Sequence, residues 1–248
     1  MNEWTKRYYD EAYLRRWGLS LSDEKVKERA TFILELLQIG QGNSLLDVGC
    51  GQGRYSLAFA KKGLKVTGLD FSGVLLSEAK WLANEMVLPV NWVLADVRRI
   101  PFQGKFDGLT SLDAFGFLED DYENRGTILE MAKTLKPEAR LVIAVINGTR
   151  ILNSFRGLEQ VDRNGLTIEI RRNLLPNRKA MREKLRFTDG DGEPTFERYQ
   201  RLYPVEELVE LVSNAGLDLR GIFGNFTGDS FVPNSSGKIV LVAEKTSE

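Results

Sequence analysis

No histidine occurs anywhere in this sequence. Whatever chemistry the chain performs proceeds without an imidazole base or ligand, which excludes His-dependent hydrolases and most transition-metal enzymes. A transfer from an already activated donor is untouched by that absence. The single cysteine, Cys50, permits neither an internal disulfide nor a cysteine-based metal cluster, so a small packed side chain is its expected role and no metal is expected. Excess charge is also lacking. Lys and Arg number 34 against 35 Asp and Glu, so nothing in the total calls for nucleic acid or an anionic surface. No apolar run approaches the length of a membrane span, and the opening MNEWTKRYYDEAYLRRWG is charged and aromatic rather than signal-like. A cytoplasmic location and no membrane partner are expected.

What is present is concentrated between Leu45 and Asp70. LLDVGCGQG is a short apolar strand carrying Asp47 that breaks into Gly49, Gly51 and Gly53. Glycines at that spacing turn the chain sharply and bring bare backbone close to a ligand. RYSLAFAKKG follows with helix-forming composition and Gly63 at its end, and a second apolar run, KVTGLD, ends in Asp70. Strand, glycine loop, helix and strand form a βαβ unit, and an acid at the tip of the second strand is placed to accept hydrogen bonds from two ribose hydroxyls. A nicotinamide dinucleotide fingerprint would place a third glycine where Arg54 stands. With its G-x-G-x-G spacing behind an acidic residue, the segment resembles the class I S-adenosylmethionine (SAM)-dependent methyltransferases.

The length suits a single α/β domain of residues 1–248. Two helices are expected first, an aromatic one from Trp4 to Trp17 and a second from Ser22 to Leu37, and residues 1–40 are expected to act as a lid. From Leu45 strands and helices alternate: LLDVG, a helix from Tyr55, LKVTGLD, a helix from Ser72 to Met86, VNWVLAD, FDGLTSL, a helix near Tyr122 to Leu135 stopped by Pro137, and RLVIAVI. This pattern predicts a doubly wound, mostly parallel seven-stranded sheet. LDLRGIFG and KIVLVAEK suit an antiparallel hairpin at one edge. Residues 41–146 and 204–248 form the expected SAM-binding core. Between them, 147–203 reads as a β-rich insertion of antiparallel strands, GLTIEIRRNLL, AMREKLRF and FERYQRLY, expected to cover the acceptor site.

The resemblance extends over nearly the whole chain and implies SAM as cofactor, with S-adenosylhomocysteine as product. It assigns the cofactor site to Asp47, Gly49, Gly51, Gly53, Asp70, Phe71, Asp96, Val97 and Leu112. Of these, Phe71 offers an apolar surface to adenine, Asp96 an acceptor for its exocyclic amine, Val97 a neighbouring backbone amide, and Leu112 backbone facing the methionine part. Where this family usually has Pro-Gly-Gly, this chain has Pro137-Glu138-Ala139. Phe115 and Phe117 follow at the crevice where an acceptor must enter, with at least one expected in the core. Asp113, near the end of the fourth strand, is the candidate base. Tyr13 and the insertion arginines Arg172, Arg186 and Arg201 are candidate acceptor contacts, the arginines for an acidic group. The implied reaction moves a methyl group to nitrogen or oxygen of a small molecule, in a monomer or homodimer. A SAM-binding protein without catalysis and a dinucleotide-dependent oxidoreductase are the alternatives.

Overall fold

A computed structural model describes residues 14, 23–163, 166–188 and 195–247. The expected helix from Trp4 to Trp17, its role as a lid, and Tyr13 lie outside the described residues, apart from Leu14. Helix α1 (Asp23–Leu37) precedes the alternation β1 (Ser44–Val48), α2 (Arg54–Lys61), β2 (Lys65–Asp70), α3 (Gly73–Glu85), β3 (Val90–Leu94), β4 (Phe106–Leu112), α4 (Asp121–Thr134) and β5 (Leu135–Ile146). After the insertion come α6 (Val205–Ser213), β10 (Leu217–Phe223) and β11 (Lys238–Lys245). The seven strands form one sheet in the order β10-β11-β5-β4-β1-β2-β3, parallel except for β11, which runs against both β5 and β10.

Strand β1 is central, so both of its faces are covered and its sequence is a continuous apolar run around Asp47. Alternation sorts its side chains: Leu45 joins the core built with α1 and α2, including Ile33 and Phe59, while Leu46 joins the opposite core with α4 and α6, including Met131 and Leu208. The chain winds outward from β1 to β3 on one side and resumes at β4 on the other. The strand order therefore reverses between β1 and β4, and a ligand crevice opens beyond their carboxyl ends.

Local signals set most boundaries. The Ser72 hydroxyl caps α3 by accepting from the Leu75 N–H at 3.2 Å, and Gly63 follows α2 at φ 84°. The expected role of Pro137 is corrected: α4 ends at Thr134, and Leu135, Lys136 and Pro137 already belong to β5, with Leu135 opposite Phe106. Proline disfavours helical backbone at the residue before it, so its influence reaches back to Lys136.

The insertion carries four antiparallel strands rather than three, in the order β6 (Leu158–Arg163), β7 (Leu166–Leu174), β8 (Ala180–Thr188) and β9 (Thr195–Arg201), after a short helix α5 (Gly148–Asn153). Its two ends meet tightly. The Gly148 N–H donates to the Tyr203 carbonyl at 3.1 Å, and a Cβ on Gly148 would lie 2.6 Å from the Leu202 carbonyl carbon. Buried Asn147 caps α5 and donates through Nδ2 to the Pro233 and Ser236 carbonyls at 2.8 and 2.9 Å, tying the insertion to the β10–β11 loop.

Arg201 is the largest charged side chain in the interior, 1% exposed at the end of β9. Its guanidinium donates to Asp121, Glu207 and the carbonyls of Lys179 and Leu202, so it joins the insertion to α4 and α6. Truncating one member of a buried ion network leaves its partners uncompensated. Arg201→Met is expected to destabilise the fold by about 3 kcal/mol, measured as the shift in a urea unfolding curve at unchanged slope.

Candidate functional site

The turn after β1 is fixed by β2. The N–H groups of Gly49 and Cys50 donate to the Leu69 carbonyl at 2.8 and 3.1 Å, and the Gly51 N–H donates to Asp70 Oδ2 at 2.8 Å. The other carboxylate oxygen of Asp70 accepts from the Ser72 N–H at 2.9 Å. Asp70 thus faces the crevice with both oxygens oriented by backbone and with lone pairs left over for a ligand. Burial raises its pKa, opposed by those backbone hydrogen bonds. Gly49 must be glycine on two counts: its φ is 72°, and a Cβ there would lie 2.3 Å from that of Ala114.

The crevice contains a cavity of about 260 Å³. Gly49, Gly51, Asp70, Phe71, Val97 and Leu112 all line it, as do Asp113, Phe115 and Phe117. Other expected residues stand elsewhere. Gly53 packs against the indole of Trp92, where a Cβ would lie 2.5 Å from the ring, and serves helix placement rather than the cavity. Asp47 lies under the loop, accepting from Ser56 Oγ at 2.6 Å and Thr110 Oγ1 at 2.9 Å. Asp96 is not in the cavity wall. Arg98 clasps it through Nη2 at 2.7 Å and Nε at 3.1 Å, and reaches Glu123 with its remaining nitrogen. Against the upward push of burial, the Arg98 hydrogen bonds and charge hold the Asp96 carboxyl below its usual range.

Several lining residues carried no sequence signal. Tyr55 faces the cavity from the first turn of α2, and Arg29 of α1 donates to its hydroxyl at 3.5 Å. Burial raises its pKa, so the phenol stays protonated. Asn124 of α4 donates through Nδ2 to the Leu118 carbonyl at 2.7 Å, while its Oδ1 is buried with no partner among the described residues. An unmet acceptor in a ligand cavity is a vacancy in hydrogen bonding that a bound donor would fill.

The insertion arginines do not reach this cavity. Arg172 is paired with Glu183 and Glu159, both at 2.6 Å, Arg186 is exposed on β8, and Arg201 is committed to the clasp already described. For Arg172 and Arg201 the expectation of an acidic acceptor group is corrected: Glu159 and Glu183 of the insertion hold Arg172, and Asp121 of α4 and Glu207 of α6 hold Arg201. Phe115 is a core residue as much as a wall, 3% exposed and stacked on Tyr203 at 5.2 Å.

The cavity fits the parts of SAM. Asp70 presents a carboxylate for ribose hydroxyls, Phe71, Leu75 and Val97 offer apolar surface for a purine, and the Asn124 oxygen awaits a donor. Residues 45–138 match the family model described as a methyltransferase domain. The chain is 28% identical over 210 residues to the methyltransferase named YqeM of Bacillus subtilis (strain 168), covering 82% of this chain and 84% of that one. These likenesses support a class I SAM-dependent methyltransferase. The fold is shared with solved methyltransferases: the CcbJ methyltransferase of Streptomyces caelestis superposes with a TM-score of 0.84 at 18% identity, covering 99% of this chain and 100% of that one. SAM-bound CalS10, an amino pentose methyltransferase from Micromonospora echinaspora, superposes with a TM-score of 0.66 at 24% identity over 99% of each chain. The methyltransferase has no helix among its described residues long and apolar enough to cross a membrane, and no group of three or more acids or cysteines there that would hold a metal.

Asp47 carries a measurable signature. Burial pushes its pKa up to about 6, against the hydrogen bonds of Ser56 and Thr110 and with help from the Asp70 charge. A folded-state pKa above the unfolded 3.8 means that stability present in acid is lost as pH rises through about 6. Between about pH 3.5 and pH 7 the wild type is expected to lose about 3 kcal/mol relative to Asp47→Asn, read from urea unfolding of both proteins. A pH-independent difference would refute the assignment.

Proposed function

We propose that this methyltransferase methylates an amine nitrogen of a small hydroxyl-bearing molecule, with SAM held at the β1/β4 crevice. In this reading Asp70 takes the ribose hydroxyls, Phe71, Leu75 and Val97 enclose the adenine, Asn124 Oδ1 accepts from its exocyclic amine in place of Asp96, and the backbone at Gly49 and Leu112 faces the methionine part. The insertion covers the acceptor side: it leaves β5 at the carboxyl end of the sheet, and the Arg201 N–H donates to the Gly116 carbonyl of the cavity wall at 2.8 Å.

The observation that carries the amine reading is Asp113. It stands directly beyond β4 with φ 56°, lines the cavity, and is ion-paired with Lys238 at the start of β11. A hydroxyl acceptor needs a base as it attacks, whereas a neutral amine does not. Here Tyr55 stays protonated, no imidazole exists, and the Asp113 carboxylate is engaged in an ion pair with Lys238. SAM, when bound, supplies a methyl group on a sulfonium, an activated donor. The protein's task is then to place the nitrogen in line and to stabilise the positive charge that develops on it, which the fixed Asp113 carboxylate does. The proton of the methylated ammonium leaves afterwards to solvent. The fold it shares with an amino pentose methyltransferase supports the same acceptor class.

Two variants separate binding from chemistry. Asp70→Ala is expected to weaken S-adenosylhomocysteine binding by about ten- to a hundredfold, the loss of charged hydrogen bonds, measured by calorimetry. Asp113→Asn is expected to keep that affinity within about twofold while lowering kcat toward amino sugars by about a hundredfold. The assay is transfer of labelled methyl to a panel of amino sugars and their hydroxyl counterparts. Methylation of the hydroxyl counterparts alone would overturn the amine reading.

A further inference from the structure

Helix α1 buries Val26, Ala30 and Ile33, and Arg29 stands partly buried at the border of that face. Its guanidinium lies 5.0 Å from the centre of the Phe226 ring and donates to the Tyr55 hydroxyl at 3.5 Å. No carboxylate pairs with it among the described residues. Arg98, Arg140, Arg172 and Arg201, also withdrawn from solvent, are each held by an acid at 2.5 to 2.8 Å. A guanidinium taken partly out of water is costly unless an anion meets it, and a ring face offsets only part of that cost. Arg29 therefore keeps donors to spare, in a fork suited to a carboxylate.

Tyr55 sets those donors beside the cofactor cavity, which it lines. Its ring is held by Phe59, stacked at 6.2 Å, and by Phe226 at 6.5 Å. The hydroxyl accepts from Arg29, and its own proton goes to no acceptor among the described residues. Two donors thus converge at this end of the cavity, one on a cation and one on a phenol that burial keeps protonated. Asp113 does not answer them: its charge reaches the phenol, but its carboxylate is paired with Lys238. Arg54, the cation of the cavity wall itself, already has a partner. An oxygen that accepts from Tyr55 stands one hydrogen bond from Arg29, so a ligand carboxylate can engage both.

We infer that Arg29 and Tyr55 form a carboxylate subsite at this end of the cofactor cavity, recognising an amino acid unit. The methionine end of SAM carries such a unit, and so does an acceptor amine that bears a carboxylate; the chemistry read by the site is the same. The inference rests on the proposal that the cavity holds SAM and an amine acceptor. Gly49, Leu112 and Asp113, where that proposal sets the methionine part and the amine, line the cavity together with Tyr55, and none of them supplies a positive charge.

Calorimetry on the full chain tests the subsite and separates its two sources. One pair of probes is S-adenosylhomocysteine and methylthioadenosine, which keeps the nucleoside and lacks the amino acid unit. The other pair, on protein saturated with S-adenosylhomocysteine, is L-serine and ethanolamine, which differ by the carboxylate. Arg29→Leu is expected to weaken binding of a carboxylate-bearing probe at least about tenfold while its carboxylate-free counterpart stays within about twofold. Loss with S-adenosylhomocysteine assigns the subsite to the cofactor, and loss with serine alone assigns it to the acceptor. Tyr55→Phe, which keeps the ring and its packing, is expected to weaken the same probe about three- to fivefold. Unchanged ratios between the members of each pair in both variants overturn the subsite, as does a tenfold loss in Arg54→Leu with none in Arg29→Leu. Wild-type protein that binds neither S-adenosylhomocysteine nor methylthioadenosine overturns the cofactor reading and the subsite with it, whereas failure of the subsite alone leaves both affinities in place.

Discussion

The clasp between Asp70 and the N–H groups of Gly51 and Ser72 is the interaction on which the site depends. One carboxylate holds the glycine loop against the tip of β2 and begins the turn into α3. The loop cannot satisfy those donors by itself, because it is neither helix nor strand, and an unpaired buried N–H is costly. Once Asp70 fixes Gly51, the Leu69 carbonyl receives Gly49 and Cys50, and α2 starts in a single direction over the sheet. In the proposed reading the same two oxygens also accept from the ribose, so structure and recognition use one group, and it cannot be removed for either purpose alone.

Two carboxylates, Asp47 and Asp70, sit almost without water at the centre of this arrangement. The fold treats them differently. Asp47 meets hydroxyls, which stabilise its charge only partly, so burial prevails and its pKa rises to about 6. Asp70 meets backbone N–H groups and the open cavity, which moderate the same push. The pair also repel through the loop, so protonation of Asp47 eases the charge on Asp70. Stability is thus relinquished as pH rises through about 6, where the proposed ribose contact uses an ionised Asp70.

Periodicity and punctuation made the sheet readable. β1, β2 and β4 are short apolar runs ended by Asp or Gly, Ser72 and Gly63 mark helix ends, and the β10–β11 edge hairpin shows two apolar runs around a polar loop. The cofactor crevice followed from the strand-end acids. What could not be read is tertiary pairing. Asp96 looks identical to Asp70 in sequence, yet Arg98, two residues on, takes its carboxylate. Arg201 reads as a surface arginine in an alternating strand, but Asp121 and Glu207, distant in sequence, draw it inside. β6 carries only Leu158 and Val161 as apolar residues, and Leu158 is exposed, so no alternation announces it. Tyr55 and Asn124 occupy ordinary helical positions, and nothing in their local sequence tells which face meets the cavity.

The loop after β4 is where the common core and the insertion become one object. Gly116 has φ 90°, and a Cβ there would lie 3.1 Å from the Tyr203 ring and 3.2 Å from Gln200, so the backbone of the cavity wall lies directly against the end of the insertion. Its carbonyl accepts from Arg201, and the adjacent Phe115 stacks on Tyr203. A wall packed this closely transmits displacement because side chains in a dense interior have no free volume in which to absorb it. Changes in how β9 seats on α4 and α6 therefore reach Phe115 and Phe117. In the proposed reading the donor side is built from β1, β2 and the glycine loop, which abuts the same wall at Ala114, where a Cβ on Gly49 would lie 2.3 Å from that of Ala114. The loop after β4 is thus held from both banks, by the glycine loop at Ala114 and by the insertion at Gly116, so in that reading reshaping the insertion alters the acceptor side while the Asp70 clasp keeps the donor side in place.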